Sequence, residues 1–310
     1  MGSPILLHRK RFLCILSCRD MVYRQKEKIA DTRTGTRRTW VRPKKRFGQH
    51  FLVDRRVAEG VVQFADPSPE EWVLEVGPGR GALTEFLLAR PCCVVGIEVD
   101  PNLCCTLRAQ FGHRRNFRLL EGDILQIDLE VLLSQFESRN MVVVGNLPYN
   151  ITSPLLFKLL DHHDVIGRAL LMVQREVARR IVASPGSKDY GILSIAIQLK
   201  TNPKICFDVG PAAFRPVPKV NSCVIKLDFL KDNKVFLQDE ALFHDLVKTV
   251  FGQRRKMLKN TLSLLGGGLR KDAIPEIRRL SGIDLKRRPE TLDLEEFARL
   301  SDAVKTLGVL

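Results

Sequence analysis

The chain has 310 residues, of which 45% are hydrophobic and 27% charged, as is typical of a soluble globular protein with one large and one smaller domain. No apolar stretch approaches the ~18 residues that a membrane-spanning helix needs, which excludes an integral membrane protein. The formal net charge is +15, and residues 1–50 carry +11 of it. The basicity therefore lies mostly in an amino-terminal arm.

Residues 1–41 of this arm are rich in Arg and Lys, and we expect them to be disordered when alone. Such a segment can be an organellar transit peptide, or upstream sequence wrongly joined to a start at Met21, which we favour. The short apolar run at residues 12–16 has no small-residue cleavage site behind it, so export is not expected. We expect a cytoplasmic protein, with organellar import as the alternative.

The eight cysteines do not form a metal-binding pattern. They show no CxxC spacing, and no cluster of histidines accompanies them. Adjacent cysteines in apolar segments are more simply small buried residues in a reducing compartment. We therefore expect no metal site.

Between Trp72 and Gln174, apolar segments alternate with amphipathic ones, which predicts a doubly wound, parallel α/β sheet. The predicted strands are Trp72–Val76, Val94–Glu98, Phe117–Leu120, Met141–Gly145 and Ala169–Gln174. Two further apolar stretches, Lys204–Val209 and Ser222–Phe229, predict a closing hairpin at one sheet edge. We assign residues 42–233 to this domain.

The chain after residue 233 shows only helical patterns, which predicts a small helical domain over residues 234–310. A helical spacing joins Val247 to Leu265 and predicts one helix, which is broken by the glycines at 266–268. Asp293 and Glu296 have the form of a capping box that opens the last helix.

Two clusters of cations are candidates for binding a nucleic acid. Arg254, Arg255 and Lys256 concentrate charge on the predicted helix, and Lys44, Lys45 and Arg46 do so just before the fold begins. A solvated helix face is the usual interpretation of such a run. Arg254, however, lies seven residues after Val247, on the apolar stripe itself.

Three consecutive predicted strands end in residues suited to a nucleoside. Glycines at Gly77 and Gly79 follow the first strand, where they let the backbone approach a ligand closely. Glu98 ends the second strand, 21 residues after Gly77, the spacing at which an acid accepts hydrogen bonds from ribose hydroxyls. Asp123 follows the third strand and can accept the amine of an adenine ring. Helix capping explains each acid equally well when it is taken alone.

The fourth strand ends in Asn146-Leu147-Pro148-Tyr149, a polar and an aromatic side chain on a stiff turn. The carboxyl end of a buried strand is where an open α/β sheet meets its ligand. The Asn supplies an amide acceptor and the Tyr a flat face for a nucleobase. The combination is suited to an exocyclic amine.

Four segments together resemble the S-adenosylmethionine-dependent rRNA adenine dimethyltransferases, and within them the bacterial small-subunit rRNA enzymes. They are Lys45–Leu52, Glu75–Gly79, Asn146–Asn150 and Phe214–Val220. With Phe251–Lys256 included, the resemblance covers about residues 42–310. It implies a Rossmann-like methyltransferase sheet with a small, all-helical, RNA-binding domain at the carboxyl end.

The resemblance also implies a ligand set. The residues that it places at the S-adenosylmethionine site are His50, Leu52, Gly77, Glu98, Asp123 and Asn146. Many relatives have Asn in place of His50. The implied substrate is a pair of neighbouring adenosines in small-subunit rRNA within a pre-ribosomal subunit, and we expect a monomeric enzyme without a metal.

The residues at the end of the fourth strand have to position the nucleophile, which is the N6 amine of adenine. The N6 lone pair of adenine is delocalised into the ring, so the amine must be held in line and drawn toward tetrahedral geometry. The Asn146 side-chain oxygen and the Leu147 carbonyl can accept its two hydrogens, while Pro148 stiffens the turn. Tyr149 and Phe214 are predicted to sandwich the flipped base, although core packing explains Tyr149 better when it is taken alone.

Three alternative functions stay open. A large-subunit rRNA methylase that confers antibiotic resistance shares this pocket, but the helical tail favours the small-subunit enzyme. A non-catalytic assembly or transcription factor is disfavoured by the intact Glu98, Asp123 and Asn146. A nicotinamide dehydrogenase is disfavoured because residues 77–82 form an imperfect dinucleotide fingerprint.

Overall fold

Strands rich in Val, Leu and Ile form the centre of the protein in a computed structural model that describes residues 43–44, 48–69, 71–136, 140–267 and 271–308. These residues belong to a single compact unit. The expectations for residues 1–41, and those for Lys45 and Arg46, lie outside the described residues.

The described residues form nine strands, of which seven make the main sheet. The strands are β1 Phe51–Leu52, β2 Trp72–Val76, β3 Cys93–Glu98, β4 Phe117–Glu121, β5 Met141–Asn146, β6 Ile166–Gln174, β7 Thr201–Val209, β8 Phe214–Arg215 and β9 Ser222–Phe229. The sheet order is β4-β3-β2-β5-β6-β9-β7, and β1 pairs with β8 separately. All the predicted strands are confirmed, with small extensions at the ends of five of them.

The sheet is mostly parallel, as predicted. β4, β3, β2, β5 and β6 run in one direction. β9 is antiparallel to both β6 and β7, so the predicted hairpin closes one edge with its second strand on the inside. The strand order reverses between β2 and β5, and the carboxyl ends of these strands therefore form the switch point where an open α/β sheet binds ligands.

Helices cover both faces of this Rossmann-like sheet. Alternate strand residues supply two cores. Val73 packs in the core that includes residues of Arg55–Ala65 and Ala82–Leu87, whereas Leu74 packs in the core that includes residues of Leu129–Leu133 and Thr152–Leu160. No helix in the described ranges is long and apolar enough to cross a membrane. The helices are α1 Arg55–Ala65, α2 Ala82–Leu87, α3 Pro101–Phe111, α4 Leu129–Leu133, α5 Thr152–Leu160, α6 Arg175–Ile181, α7 Ile192–Lys200, α8 Glu240–Gly252, α9 Leu258–Thr261, α10 Ile274–Ser281 and α11 Leu294–Leu307.

A third core forms among the helices from α8 onward. It includes Tyr190 and Ile195 from the preceding part of the chain, so the domain boundary at residues 233 and 234 stays a prediction. The predicted capping box at the start of α11 is confirmed. Asp293 Oδ1 accepts from the Glu296 amide at 2.8 Å, and Glu296 Oε2 accepts from the Asp293 amide at 3.1 Å.

The prediction of a single helix from Val247 to Leu265 is wrong. α8 ends at Gly252, residues 253–256 form a turn and a bend, and a short helix begins at Leu258. Residues on both sides of the break are buried in the same core, so their spacing imitates one continuous helix. Arg254, Arg255 and Lys256 consequently lie on this turn, which we call the basic turn, and not on a helix.

Candidate active site

The carboxyl ends of β4, β3, β2 and β5 border a cavity of about 280 Å³. Each strand end contributes a glycine or a polar residue to its wall, as the sequence predicts. The ten residues predicted for the cofactor or the base all line it: His50, Leu52, Gly77, Glu98, Asp123, Asn146, Leu147, Pro148, Tyr149 and Phe214. The structure thus brings them to one place, while their individual roles stay predictions.

The glycine turn after β2 leaves open space beside the backbone. Gly77 has φ +64°, and no atom lies within 4 Å of the position that a Cβ would occupy. A side chain there would be strained because of the positive φ, and it would fill the cavity wall. Gly81 opens α2 at φ +80°, where a Cβ would come within 2.5 Å of the Phe111 ring. The turn therefore needs glycine for both its conformation and its packing.

Glu98 is held rigidly at the end of β3. Its Oε2 accepts a hydrogen bond from the Gly79 amide at 3.0 Å, and its Oε1 accepts one from the Asp100 amide at 2.9 Å. Burial raises the pKa of Glu98 above its usual range, and the two amide donors oppose this rise. Each carboxylate oxygen has a second lone pair, so the side chain can still accept hydroxyl hydrogens.

Glu75 was not among the predicted site residues, yet it is a buried acid in the cavity wall. Thr84 Oγ1 donates to its Oε2 at 2.7 Å, and within the described ranges Oε1 has no hydrogen-bond partner. Burial raises the pKa of Glu75 to about 8. The available signal was an acid in the middle of an otherwise apolar strand, Trp72–Val76.

Asp123 lies on the turn after β4, and Lys158 holds this turn by hydrogen bonds to its backbone. Asp123 Oδ1 accepts from the Leu125 amide at 2.9 Å, which is the local role that the capping interpretation predicts. The Lys158 ammonium on α5 donates to the carbonyls of Leu125 at 3.0 Å and Ile127 at 2.5 Å. α5 follows closely after the turn at the end of β5, which also lines the cavity. The hydrogen bonds of Lys158 therefore connect the wall formed after β5 with the wall formed after β4.

The Asn146 side chain has a fixed orientation. Its Nδ2 donates to the backbone carbonyl of His50 at 2.9 Å, and no donor in the described part of the chain is bonded to its Oδ1. The Leu147 amide donates to the Met172 carbonyl at 3.1 Å, which fixes the backbone of the turn on the neighbouring strand β6. The site therefore holds an oriented amide oxygen at the cavity wall.

The aromatic residues are arranged differently from the expectation. The Tyr149 ring stacks on His50 with centroids 5.8 Å apart and planes at 25°, and its hydroxyl lies 3.2 Å from Ser222 Oγ. His50 Nδ1 lies 2.8 Å from the Pro216 carbonyl, so Nδ1 carries the proton and donates it. Phe214 is only 1% exposed and belongs to the core beneath the cavity. Phe214 thus lines the cavity with very little exposed area, so it offers a base a much smaller surface than the predicted sandwich requires.

Two of the cations predicted to bind RNA have partners within the protein. Lys44 Nζ lies 2.7 Å from Asp100 Oδ1. Burial alone would raise the pKa of Asp100, but the hydrogen bonds that its carboxylate accepts, with that from Lys44 the strongest, together hold this pKa below its usual range. Arg254 donates to the carbonyls of Lys188 at 2.6 Å and Ser187 at 3.0 Å, which explains a charge on the apolar stripe. Arg255 and Lys256 are exposed.

A family model described as ribosomal RNA adenine dimethylase matches residues 41–300. The ribosomal RNA small subunit methyltransferase A of Geobacter metallireducens is 44% identical over 268 residues, which cover 86% of this chain and 98% of that protein. The protein of the same name from Alkaliphilus oremlandii is 42% identical over 259 residues, covering 83% and 90% of the two chains.

Solved structures share the fold. A dimethyladenosine transferase from Plasmodium falciparum superposes with a TM-score of 0.69 at 25% identity, over 84% of this chain and 99% of that one. The 23S rRNA methyltransferase ErmE superposes with a TM-score of 0.62 at 24% identity, over 82% and 99% of the two chains. Since the family model spans most of the sequence and the fold and cavity agree with it, the chain belongs to the ribosomal RNA adenine dimethylase family.

Proposed function

We propose that this chain transfers methyl groups from S-adenosylmethionine to N6 of two adjacent adenosines in the small-subunit rRNA of a pre-ribosomal subunit. The observation that carries the proposal is the oriented amide of Asn146, whose nitrogen is bonded to His50 and whose oxygen is left as an acceptor at the cavity wall. The relatives named small subunit methyltransferase A support the choice of the small subunit over the large one.

The cavity residues fit S-adenosylmethionine. Space beside the backbone at Gly77 admits a ligand, and Glu98 keeps acceptor capacity for the two ribose hydroxyls. Asp123 lies at the next strand end, where its carboxylate can accept the adenine amine. His50 and Leu52 would enclose the methionine part. When bound, the cofactor supplies an electrophilic methyl group on a sulfonium.

The residues of the turn after β5 would act on the substrate amine. Asn146 Oδ1 and the Leu147 carbonyl would each accept one N6 hydrogen and thereby draw the nitrogen toward tetrahedral geometry. Both groups are fixed before the substrate arrives, because Asn146 is bonded to His50 and the Leu147 amide to β6. Tyr149 would present its ring to the flipped base, beside the ring of His50.

We also propose that residues 42–233 form the methyltransferase domain and residues 234–310 an RNA-binding domain. The relatives named above are bacterial, which supports our proposal that the chain acts in the bacterial cytoplasm. We also propose that it acts as a monomer. Arg255 and Lys256, exposed on the basic turn, would contact the RNA. Lys44 and Arg254 would act indirectly, since both bind other residues of the protein.

The test is to incubate the full chain with labelled S-adenosylmethionine and either immature small subunits or large subunits, and to map the modified bases by primer extension. We expect label at two neighbouring adenosines of the small-subunit rRNA. Label confined to large subunits would support the resistance-methylase alternative. Cofactor binding without label in either subunit would support a non-catalytic protein.

A further inference from the structure

A second concave surface, which we call the basic groove, lies at the end of β6 and has a volume of about 750 Å³. Four cations line it: Arg175 and Arg179 on α6, Lys188 on the loop before α7, and Lys219 on the loop before β9. These cations are spread over residues 175–219 and come from one helix and two loops, so no single run of charges in the chain reveals them.

Three of the four cations are available to a ligand. Arg175 Nη2 lies 3.3 Å from Asp208 Oδ2 and is therefore partly neutralised. Arg179, Lys188 and Lys219 are exposed, and among the residues that the structure describes no carboxylate forms an ion pair with them. Exposed cations gathered in a groove attract an anionic polymer, since each contact releases a counterion from it.

The basic groove is adjacent to the cavity because both use the loop between β8 and β9. On the cavity side, the Pro216 carbonyl lies 2.8 Å from His50 Nδ1, and Ser222 Oγ lies 3.2 Å from the Tyr149 hydroxyl. On the groove side, the same loop contributes Lys219, and its Asn221 carbonyl accepts from the Arg175 amide at 3.0 Å. A single-stranded RNA with one base in the cavity would therefore have its neighbouring phosphates close to the groove.

The far end of the groove reaches the basic turn. Arg254 binds the backbone carbonyls of Ser187 and Lys188, and these bonds hold the loop on which the Lys188 side chain lies. The exposed Arg255 and Lys256 follow directly in the chain. The basic turn is thus hydrogen-bonded to the loop that contributes Lys188 to the groove.

We propose that the basic groove binds the phosphodiester backbone of the rRNA strand beside the target adenosine, with Arg179, Lys188 and Lys219 as the phosphate contacts. The inference rests on the proposed function, which supplies the RNA. Two carboxylates in the groove, Glu176 and Asp189, favour RNA over an acidic peptide. They repel the anionic groups of both ligands alike, but only RNA offers ribose 2′-hydroxyls from which they can accept hydrogen bonds.

The experiment compares two triple variants of the full chain in binding to a single-stranded RNA oligonucleotide at several salt concentrations. The test variant changes Arg179, Lys188 and Lys219 to Gln. The control variant changes Arg90, Arg114 and Arg115 to Gln; these are also exposed, but they precede β3 and β4 and so lie at the opposite edge of the sheet.

We expect the test variant to bind the RNA roughly tenfold more weakly near physiological salt. The slope of log affinity against log salt should become shallower by about 2, since each lost phosphate contact removes about 0.7. The control should keep the wild-type slope, and calorimetry should give the same S-adenosylmethionine affinity for all three proteins. A test variant with the wild-type slope, or an equal loss in the control, would overturn the proposal.

Polyglutamate provides the competing arm of the experiment. If the test variant lost polyglutamate binding and kept RNA binding, the groove would belong to an acidic peptide and the proposal would be wrong. A failure of the proposed function would look different. The wild-type chain would then label no rRNA, while the salt slopes of the RNA complexes would still report whether the groove binds phosphates.

Discussion

The cavity and the basic groove share one loop, but they are built from opposite kinds of interaction. In the cavity, Glu98 accepts two backbone amides, and Asn146 donates to a backbone carbonyl, so both side chains are fixed. In the groove, Arg179, Lys188 and Lys219 are exposed, without an ion pair to any described residue. If the two proposals hold, the cavity sets the geometry of the reaction, whereas the groove supplies an attraction that tolerates movement.

This contrast predicts different responses to substitution. A change in the cavity should act on catalysis or on cofactor affinity, and it should be nearly independent of salt, because the interactions there are short and partly buried. A change in the groove should act on RNA binding alone and should depend strongly on salt.

The largest expected effect is that of Asn146→Ala. The variant should keep its fold and most of its S-adenosylmethionine affinity but lose at least ~100-fold in methyl transfer, because an acceptor that acts in the transition state is removed. Single-turnover transfer to small subunits and calorimetry with the cofactor measure the two quantities. Asn202→Ala, an exposed Asn on the edge strand β7, is the matched control. Near-normal turnover by Asn146→Ala would refute the proposed role.

The second prediction concerns Lys158, which braces the turn that carries Asp123. Lys158→Met removes two charge-assisted hydrogen bonds and leaves two carbonyls without their donor, so S-adenosylmethionine should bind ~30-fold more weakly. Calorimetry with the cofactor checks this, with Lys204→Met on β7 as the exposed control. If Lys158→Met lowered the melting temperature and left the cofactor affinity unchanged, the lysine would serve stability alone.

The cavity could be predicted from the sequence because its residues follow strand ends. Glu98, Asp123 and Asn146 each close or directly follow a strand that the apolar pattern reveals, and parallel strands bring their carboxyl ends together. Phe214 lines the cavity, as the sequence predicts, and its role toward the base stays a prediction, but its burial depends on how β8 packs, which no local pattern records.

The features that the sequence did not reveal depend on contacts between residues that are far apart in the chain. The bonds from Lys158 to two carbonyls, and those from Arg254 to Ser187 and Lys188, join distant segments. From the sequence we therefore placed Arg254 on the apolar stripe of one long helix, whereas in the structure that helix ends at Gly252. The basic groove was missed for the same reason.

The third prediction tests whether Glu75 is a buried neutral acid. Burial raises the pKa of Glu75 from the ordinary 4.5 to about 8 in the folded protein, so between these values the unfolded chain binds fewer protons than the folded one. The free energy of unfolding should therefore fall as the pH rises from about 4.5 to about 8, by at most ~1.4 kcal/mol per pH unit, and then level off. Glu75→Gln should remove this contribution, whereas Glu59→Gln on the exposed face of α1 should keep it. Chemical denaturation across this pH range measures the slopes, and parallel curves for wild type and Glu75→Gln would contradict the prediction.

The smallest expected effect separates two neighbours on the basic turn. Arg254→Ala removes the donors to the Ser187 and Lys188 carbonyls, which should cost about 1 kcal/mol in the free energy of unfolding and loosen the loop that carries Lys188. Arg255→Ala removes an exposed charge and should leave stability unchanged, while weakening RNA binding in a salt-dependent way. Denaturant unfolding and RNA binding of the two variants distinguish a structural arginine from a phosphate contact. Equal stability of the two variants would mean that the hydrogen bonds of Arg254 contribute nothing measurable to the free energy of unfolding. The basic turn and the basic groove would then be related only by their charge.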